Sequence, residues 1–234
     1  MKKLQLTIVF SLLSLSIIAQ ISNSEKQALE DLYTSTNGSS WNASWDLNQP
    51  VSDWQGVTIK DDKVISISLL FNNLEGTIPS SIGQLTNLEK LELSFNKLEG
   101  TLPTEIGNLK NLKILAFNGN NLSGKIPNSI GNISSLNQLH LSSNQLTGEI
   151  PQSVTKLEYL EILNVFDNDL SGEIPSELAY SKNLKQLLVA ENNLVVTREF
   201  SIELLSHGAS VDLKQQYFIP KTKEVIAIES EEEN

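Results

Sequence analysis

Five prolines, Pro79, Pro103, Pro127, Pro151 and Pro175, recur in this chain at an unbroken spacing of 24 residues. Asn72, Asn96, Asn120, Asn144, Asn168 and Asn192 keep the same period, as do Leu74, Leu98, Leu122, Leu146, Leu170 and Leu194. Gly76, Gly100, Gly124, Gly148 and Gly172 form a fourth ladder. A chain that repeats itself this way folds as a stack of equal coils, each touching only its neighbours. Its working surface is therefore long and exposed.

Within one coil, Leu91 and Leu93 alternate with Lys90, Glu92 and Ser94, the pattern of a strand with one buried face. Asn96 ends the strand, where its amide can bond the turn's backbone and stack into a ladder. Gly100 permits a backbone geometry closed to other residues, and Pro103 fixes an extended bend. Ile106 and Leu109 return apolar side chains from the convex side. Six coils span 61–84, 85–108, 109–132, 133–156, 157–180 and 181–204. In the last, Val196, Arg198 and Glu199 replace the glycine, isoleucine and proline, which marks a cap. A short helix over 201–207 stopped by Gly208 is expected to lead into that C-terminal cap, 205–219, with Ser210 to Phe218 as a final covering strand. The glutamate-rich end, 220–234, is expected to stay solvated.

Ahead of the coils, Met1-Lys2-Lys3, the apolar run Leu4 to Ile18 and the small Ala19 read as a secretory signal peptide over 1–19. About 15 apolar residues fall short of the roughly 20 that a bilayer span needs. Residues 20–60 form an N-terminal cap. Ser24 and Gln27 have capping-box spacing, and Ala28, Leu29, Leu32 and Tyr33 share one helical face, with the helix ending by Asn37-Gly38. Trp41, Trp45 and Trp54 are expected to cover the apolar end of the first coil; a sugar-stacking site is the competing reading of the same rings. Val57 and Ile59, then Ile65, Ile67 and Leu69, alternate around Asp61-Asp62 as a hairpin.

The formal net charge is −11, or −13 once Lys2 and Lys3 are removed. Such a chain repels phosphate backbones and anionic membranes. With no cysteine, an exported chain must hold together by packing alone, and thiolate chemistry is excluded. No Ser/His/acid or metal-binding spacing occurs, and Asp167 and Asp169 supply too few ligands for calcium. Neither catalysis nor a cofactor is expected.

The segments Asn120-Asn-Leu-Ser-Gly-Lys-Ile-Pro127 and Asn168-Asp-Leu-Ser-Gly-Glu-Ile-Pro175 carry N-x-L-x-G-x-I-P. They resemble the plant extracellular type of leucine-rich repeat, found in receptor-kinase ectodomains, polygalacturonase-inhibiting proteins and similar exported bacterial proteins. Trp54-Gln-Gly-Val-Thr58 resembles that family's N-terminal cap. The resemblance implies an α/β solenoid, a right-handed superhelix with a parallel β-sheet on its concave face. It also implies a non-enzymatic binding module. The family's cap cysteines are missing, with Ser52 and Ile59 in their region, which suits a Gram-negative bacterial version, secreted or periplasmic.

Three columns of side chains point out of the expected sheet. The central one is Ser68, Glu92, Ala116, His140, Asn164 and Leu188; before it run Ser66, Lys90, Ile114, Gln138, Ile162 and Gln186; after it run Leu70, Ser94, Asn118, Ser142, Phe166 and Ala190. These positions vary while the framework columns hardly change, as in a binding array. Ile162, Phe166 and Leu188 form an apolar patch on adjacent coils, and Leu70, Phe71 and Phe95 a second one. The expected partner surface is Ile114, Gln138, His140, Ile162, Asn164, Phe166, Gln186 and Leu188, with Glu161, Asp167 and Glu191 at its rim favouring a basic partner. The columns lack Trp and Tyr, so an extracellular protein is the favoured partner over a polysaccharide. The alternative is a structural or adhesive surface spacer.

Overall fold

The computed structural model describes residues 21–206 and 208–212. The signal-peptide reading, the acidic end, His207 and the strand beyond Asp212 lie outside the described residues.

The first strand, β1 (Val57–Lys60), pairs antiparallel with β2 (Lys63–Ser68). Parallel strands follow: β4 (Lys90–Glu92), β6 (Ile114–Ala116), β8 (Gln138–His140), β10 (Ile162–Asn164), β12 (Gln186–Leu188) and β14 (Ser210–Asp212). Each parallel pair is offset by the sequence period: Ser66 faces Lys90, Lys90 faces Ile114, Ile162 faces Gln186 and Gln186 faces Ser210. The period thus continues one strand past the leucine pattern, with Val211 in the column of Leu187. This is a leucine-rich-repeat solenoid of the α/β class. Its leucines and isoleucines fill one continuous core: Leu91, Leu98, Leu112, Leu139 and Leu163 are fully buried.

A second parallel sheet is not foreseen in the sequence. It runs through β3 (Glu75–Thr77), β5 (Lys97–Gly100), β7 (Asn121–Gly124), β9 (Gln145–Gly148), β11 (Asp169–Glu173) and β13 (Asn193–Val195). Its trace in the sequence is the alternation of inward Leu98 with Gly100, a strand cut short by the glycine's φ of +74°. Leu98 is buried while Lys97 and Glu99 are exposed.

The asparagine ladder holds the turns. Asn120 Nδ2 donates to the carbonyls of Leu93, Phe117 and Asn118 at 3.1, 3.0 and 3.3 Å. Its Oδ1 accepts from Leu98 N at 3.0 Å. Asn96, Asn144, Asn168 and Asn192 repeat the arrangement one coil at a time. Each amide therefore joins neighbouring coils and satisfies buried backbone groups that the strands leave over.

On the convex side each of the first five coils makes one 3-10 turn. A Cβ on Gly83, Gly107 or Gly131 would lie within 2.5, 2.4 or 2.2 Å of the next coil's backbone carbonyl oxygen, at Glu105, Ser129 or Ser153. Glycine there lets these turns stack backbone on backbone. Thr155 occupies the column in the next coil, and an open cleft of about 350 Å³ separates its turn from Ser176–Tyr180.

The N-terminal cap closes the first coil. Helix α1 (Asn23–Ser35) is capped by Ser22 and Glu25, not by Ser24 and Gln27. The two registers look alike in sequence, but only Glu25 also reaches the coils: its Oε1 accepts from Val64 N at 3.2 Å while Oε2 accepts from Ser22 N and Oγ. The hairpin differs in one further respect. A bulge between Thr58 and Ile59 brings Val64 inward in place of Ile65. Trp41, Trp45 and Trp54 are buried, with Trp45 stacked on Trp54 at 4.8 Å and edge-on to Trp41 at 4.9 Å. Their indole N–H groups donate to Thr36 O, Gln55 O and Asp46 O. No ring face is left for a sugar.

At the other end α2 (Arg198–Ser206) replaces the convex turn of coil six, beginning three residues before the expected Ser201. Phe200 and Leu204 point inward, and Gly208 at φ +80° ends the segment.

Candidate functional site

The three outward columns lie on the concave sheet in the register expected, with Ala116, His140, Asn164 and Leu188 directly opposite one another from strand to strand. Strands about 4.8 Å apart make this face some 25–30 Å wide over six coils. Ile114, Gln138, His140, Ile162, Asn164, Phe166 and Leu188 are half-buried, and Gln186 is exposed. Three members of the columns are not presented to solvent: Ser94, Ala116 and Ala190 are too short to rise above their neighbours and are buried. The patch at Ile162, Phe166 and Leu188 is accordingly a low apolar floor.

Two polar groupings lie on the same sheet, in coils one, two and four. Glu92 Oε2 pairs with Lys90 Nζ at 2.6 Å and accepts from Ser68 Oγ at 2.9 Å. Burial is the largest single influence on Glu92 and opposes its ionisation, but Lys90, Ser68 and the nearby His140 outweigh it and hold the carboxyl below its usual range. His140 Nε2 lies 3.1 Å from Gln138 Oε1. Burial pushes His140 below its ordinary 6.5, against a smaller upward pull from Glu92, so the imidazole is neutral near pH 7. At the rim, Glu161 is already paired with Lys185 at 2.8 Å. Asp167 and Glu191 are exposed and enter no ion pair among the described residues.

The sequence reading missed a fourth column. Phe71, Phe95, Gly119, Ser143, Asp167 and Glu191, one per coil, all have φ in the left-handed region: their values are 52°, 58°, 62°, 52°, 55° and 54°. A non-glycine residue there costs about 1–2 kcal/mol, most awkwardly for a bulky side chain. Phe71 and Phe95 nevertheless occupy it, 65% and 48% exposed, with rings stacked at 4.5 Å and 4°. The signal was available: each residue directly precedes a ladder asparagine.

Two open clefts among the described residues lie at the margins, one of about 390 Å³ beside Lys60, Lys63 and Lys113 and one beside Thr155. Among the described residues no three His, Cys, Asp or Glu side chains are grouped to hold a metal ion, and no helix is long and apolar enough to cross a membrane.

Coils of this length, an asparagine ladder and a parallel concave sheet define a leucine-rich-repeat scaffold. Leucine-rich-repeat models match residues 87–146 and 159–181. A chain of the BIR3–SERK2 complex from Arabidopsis thaliana is 35% identical, covers 72% of this chain and 94% of its own length, and superposes with a TM-score of 0.60. A plant ice-binding protein is 29% identical over 76% of this chain and 59% of its own, with a TM-score of 0.70. The plant peptide hormone receptor RGFR1, in complex with RGF2, is 40% identical over 56% of this chain and 21% of its own, with a TM-score of 0.55. No curated protein matches the chain significantly. The chain belongs to the leucine-rich-repeat family, in its plant extracellular type.

Proposed function

We propose that this chain is an exported, non-enzymatic binding module that recognises an extracellular protein on the concave face of its coils. The observation that carries the reading is the contrast between two sets of columns on one sheet. Inward positions are a run of Leu, Ile and Val broken once by Phe117, while outward positions change from coil to coil in charge, size and polarity. A spacer needs only the first set. Apolar Ile162, Phe166 and Leu188 beside His140, Asn164, Gln138 and Gln186 give the mixture found at the energetic centre of protein interfaces, and Ile114 extends it. Two of the similar structures are complexes, BIR3 with SERK2 and RGFR1 with RGF2. The ice-binding relative warns that the scaffold alone does not choose a ligand, so the proposal rests on this chain's own columns.

The test is capture from the extracellular fraction of the protein's source, followed by hydrogen-exchange mapping. Protection over β8, β10 and β12 is the expected outcome, lost when Ile162, Phe166 and Leu188 are changed to serine with the melting temperature unchanged. Protection confined to the convex turns rejects the placement.

A further inference from the structure

We propose that the left-handed turn column beside the concave sheet is a docking track for an extended polypeptide. That segment carries a large apolar side chain at one end and a lysine or arginine four to six residues away. The inference rests on the protein-binding reading above and adds the chemistry of the partner.

The track changes character along its length. Coils one and two contribute the stacked Phe71 and Phe95, with the exposed Leu70 beside them. Coils three and four contribute only Gly119 and Ser143, and coils five and six the exposed acids Asp167 and Glu191. The aromatic end is built, not incidental. Asn42 Nδ2 from the cap donates to Phe71 O at 2.7 Å, and Phe95 N donates to Asn118 O at 2.7 Å, so both backbones are pinned. A Cβ on Gly119 would stand 2.8 Å from Phe95 Cδ1; the glycine leaves room for the ring. The pair is thus a preorganised platform that loses little freedom when covered.

Spacing selects the ligand. Asp167 and Glu191 stand three and four coils from Phe95, about 14 and 19 Å at the usual strand separation. An extended peptide rises about 3.3 Å per residue, so an apolar side chain seated on Phe95 places a cation on the acids about four to six residues further along. The low middle at Gly119 and Ser143 leaves space for the ligand's main chain. A polysaccharide, repeating one kind of unit, does not supply an apolar end and a cationic end; a polypeptide does. The unpaired acids complement such a cation, and at an exposed edge they chiefly govern encounter.

Selection of a displayed library of random dodecapeptides on the full chain tests this. Enriched peptides are expected to share an aromatic or large aliphatic residue and an Arg or Lys four to six positions apart. Phe71→Ser with Phe95→Ser should weaken them by about tenfold or more. Asp167→Asn with Glu191→Gln should remove most of the salt dependence of binding. All four side chains are exposed, so unchanged melting curves are expected and serve as the folding control. Enriched peptides that bind both variants like the parent overturn the track. If those same peptides are lost on changing Ile162, Phe166 and Leu188 to serine, the protein-binding reading stands and only the track fails. Absence of any enrichment overturns both.

Discussion

The two ends of the solenoid face the same problem, an apolar coil with no further coil to cover it, and meet it with different chemistry. At the N-terminal end Tyr33, Trp41, Trp45 and Trp54 interlock with centroid distances of 4.8 to 6.2 Å, and every indole N–H is satisfied. The Glu25 carboxylate also ties α1 to β2 across 39 residues of chain. At the C-terminal end the seal is a two-turn helix. Its Phe200 and Leu204 face inward, while Ile202 and Leu205 on its outer side are 58% and 55% exposed. Large rings packed on one another and hydrogen-bonded to backbone carbonyls make a cap that resists opening, whereas a short helix held on a few apolar contacts opens locally. The N-terminal end is the anchor of the array and the C-terminal end its softer margin.

The largest effect expected is from deleting residues 24–56. The uncovered first coil should drive aggregation, seen as loss of the monomer peak in size exclusion; unchanged solubility and melting temperature count against an anchoring cap. Trp45→Ala should cost about 4 kcal/mol in urea unfolding, since it empties the centre of the ring cluster. Phe200→Ala should cost less, about 2–3 kcal/mol, and hydrogen exchange should confine the loss to the last two coils. Exchange that spreads evenly along the stack breaks the distinction between the ends. Between them, Asn120→Ala should cost about 2 kcal/mol by leaving buried backbone groups of coils two and three unpaired. The same change at Asn192 should cost less, because its hydrogen bonds are only partly buried where those of Asn120 are mostly buried.

The smallest effect is that of pH. Burial lowers the native pKa of His140 below 6.5, so below that pH the unfolded chain takes up a proton that the native state resists. His140 should therefore make stability decline as pH falls from 7 toward 5, and His140→Asn should flatten that slope. An NMR titration placing His140 above 6.5 reverses the sign.

The fold was legible because each coil solves the same packing problem at the same offset, so Leu91, Asn96 and Pro103 report on every copy. The outward columns followed directly from alternation in the strands. What escaped depended on contacts between distant residues. Ser22-Asn-Ser-Glu25 and Ser24-Glu-Lys-Gln27 carry equivalent capping signals, and the choice falls to Glu25 because it alone meets Val64 N. The bulge at Thr58 is a property of two strands, so alternation along one of them pointed to Ile65 instead of Val64. Burial of Ala116, Ser94 and Ala190 depends on the height of their neighbours. Backbone handedness at Phe71 and Phe95 runs against the preference of phenylalanine, so no propensity argument reaches it.

Thr155 has a mechanical consequence. A stack of coils bends where adjoining turns touch least, and the convex turns touch closely only through Gly83, Gly107 and Gly131. Where Thr155 holds its own turn away from Ser176–Tyr180, the column is most compliant, so bending concentrates between coils four and five. The last two coils, with Ile162, Asp167, Leu188 and Glu191, are thus mounted on a flexure that lets the curvature of the inner face adjust to the girth of whatever lies along it.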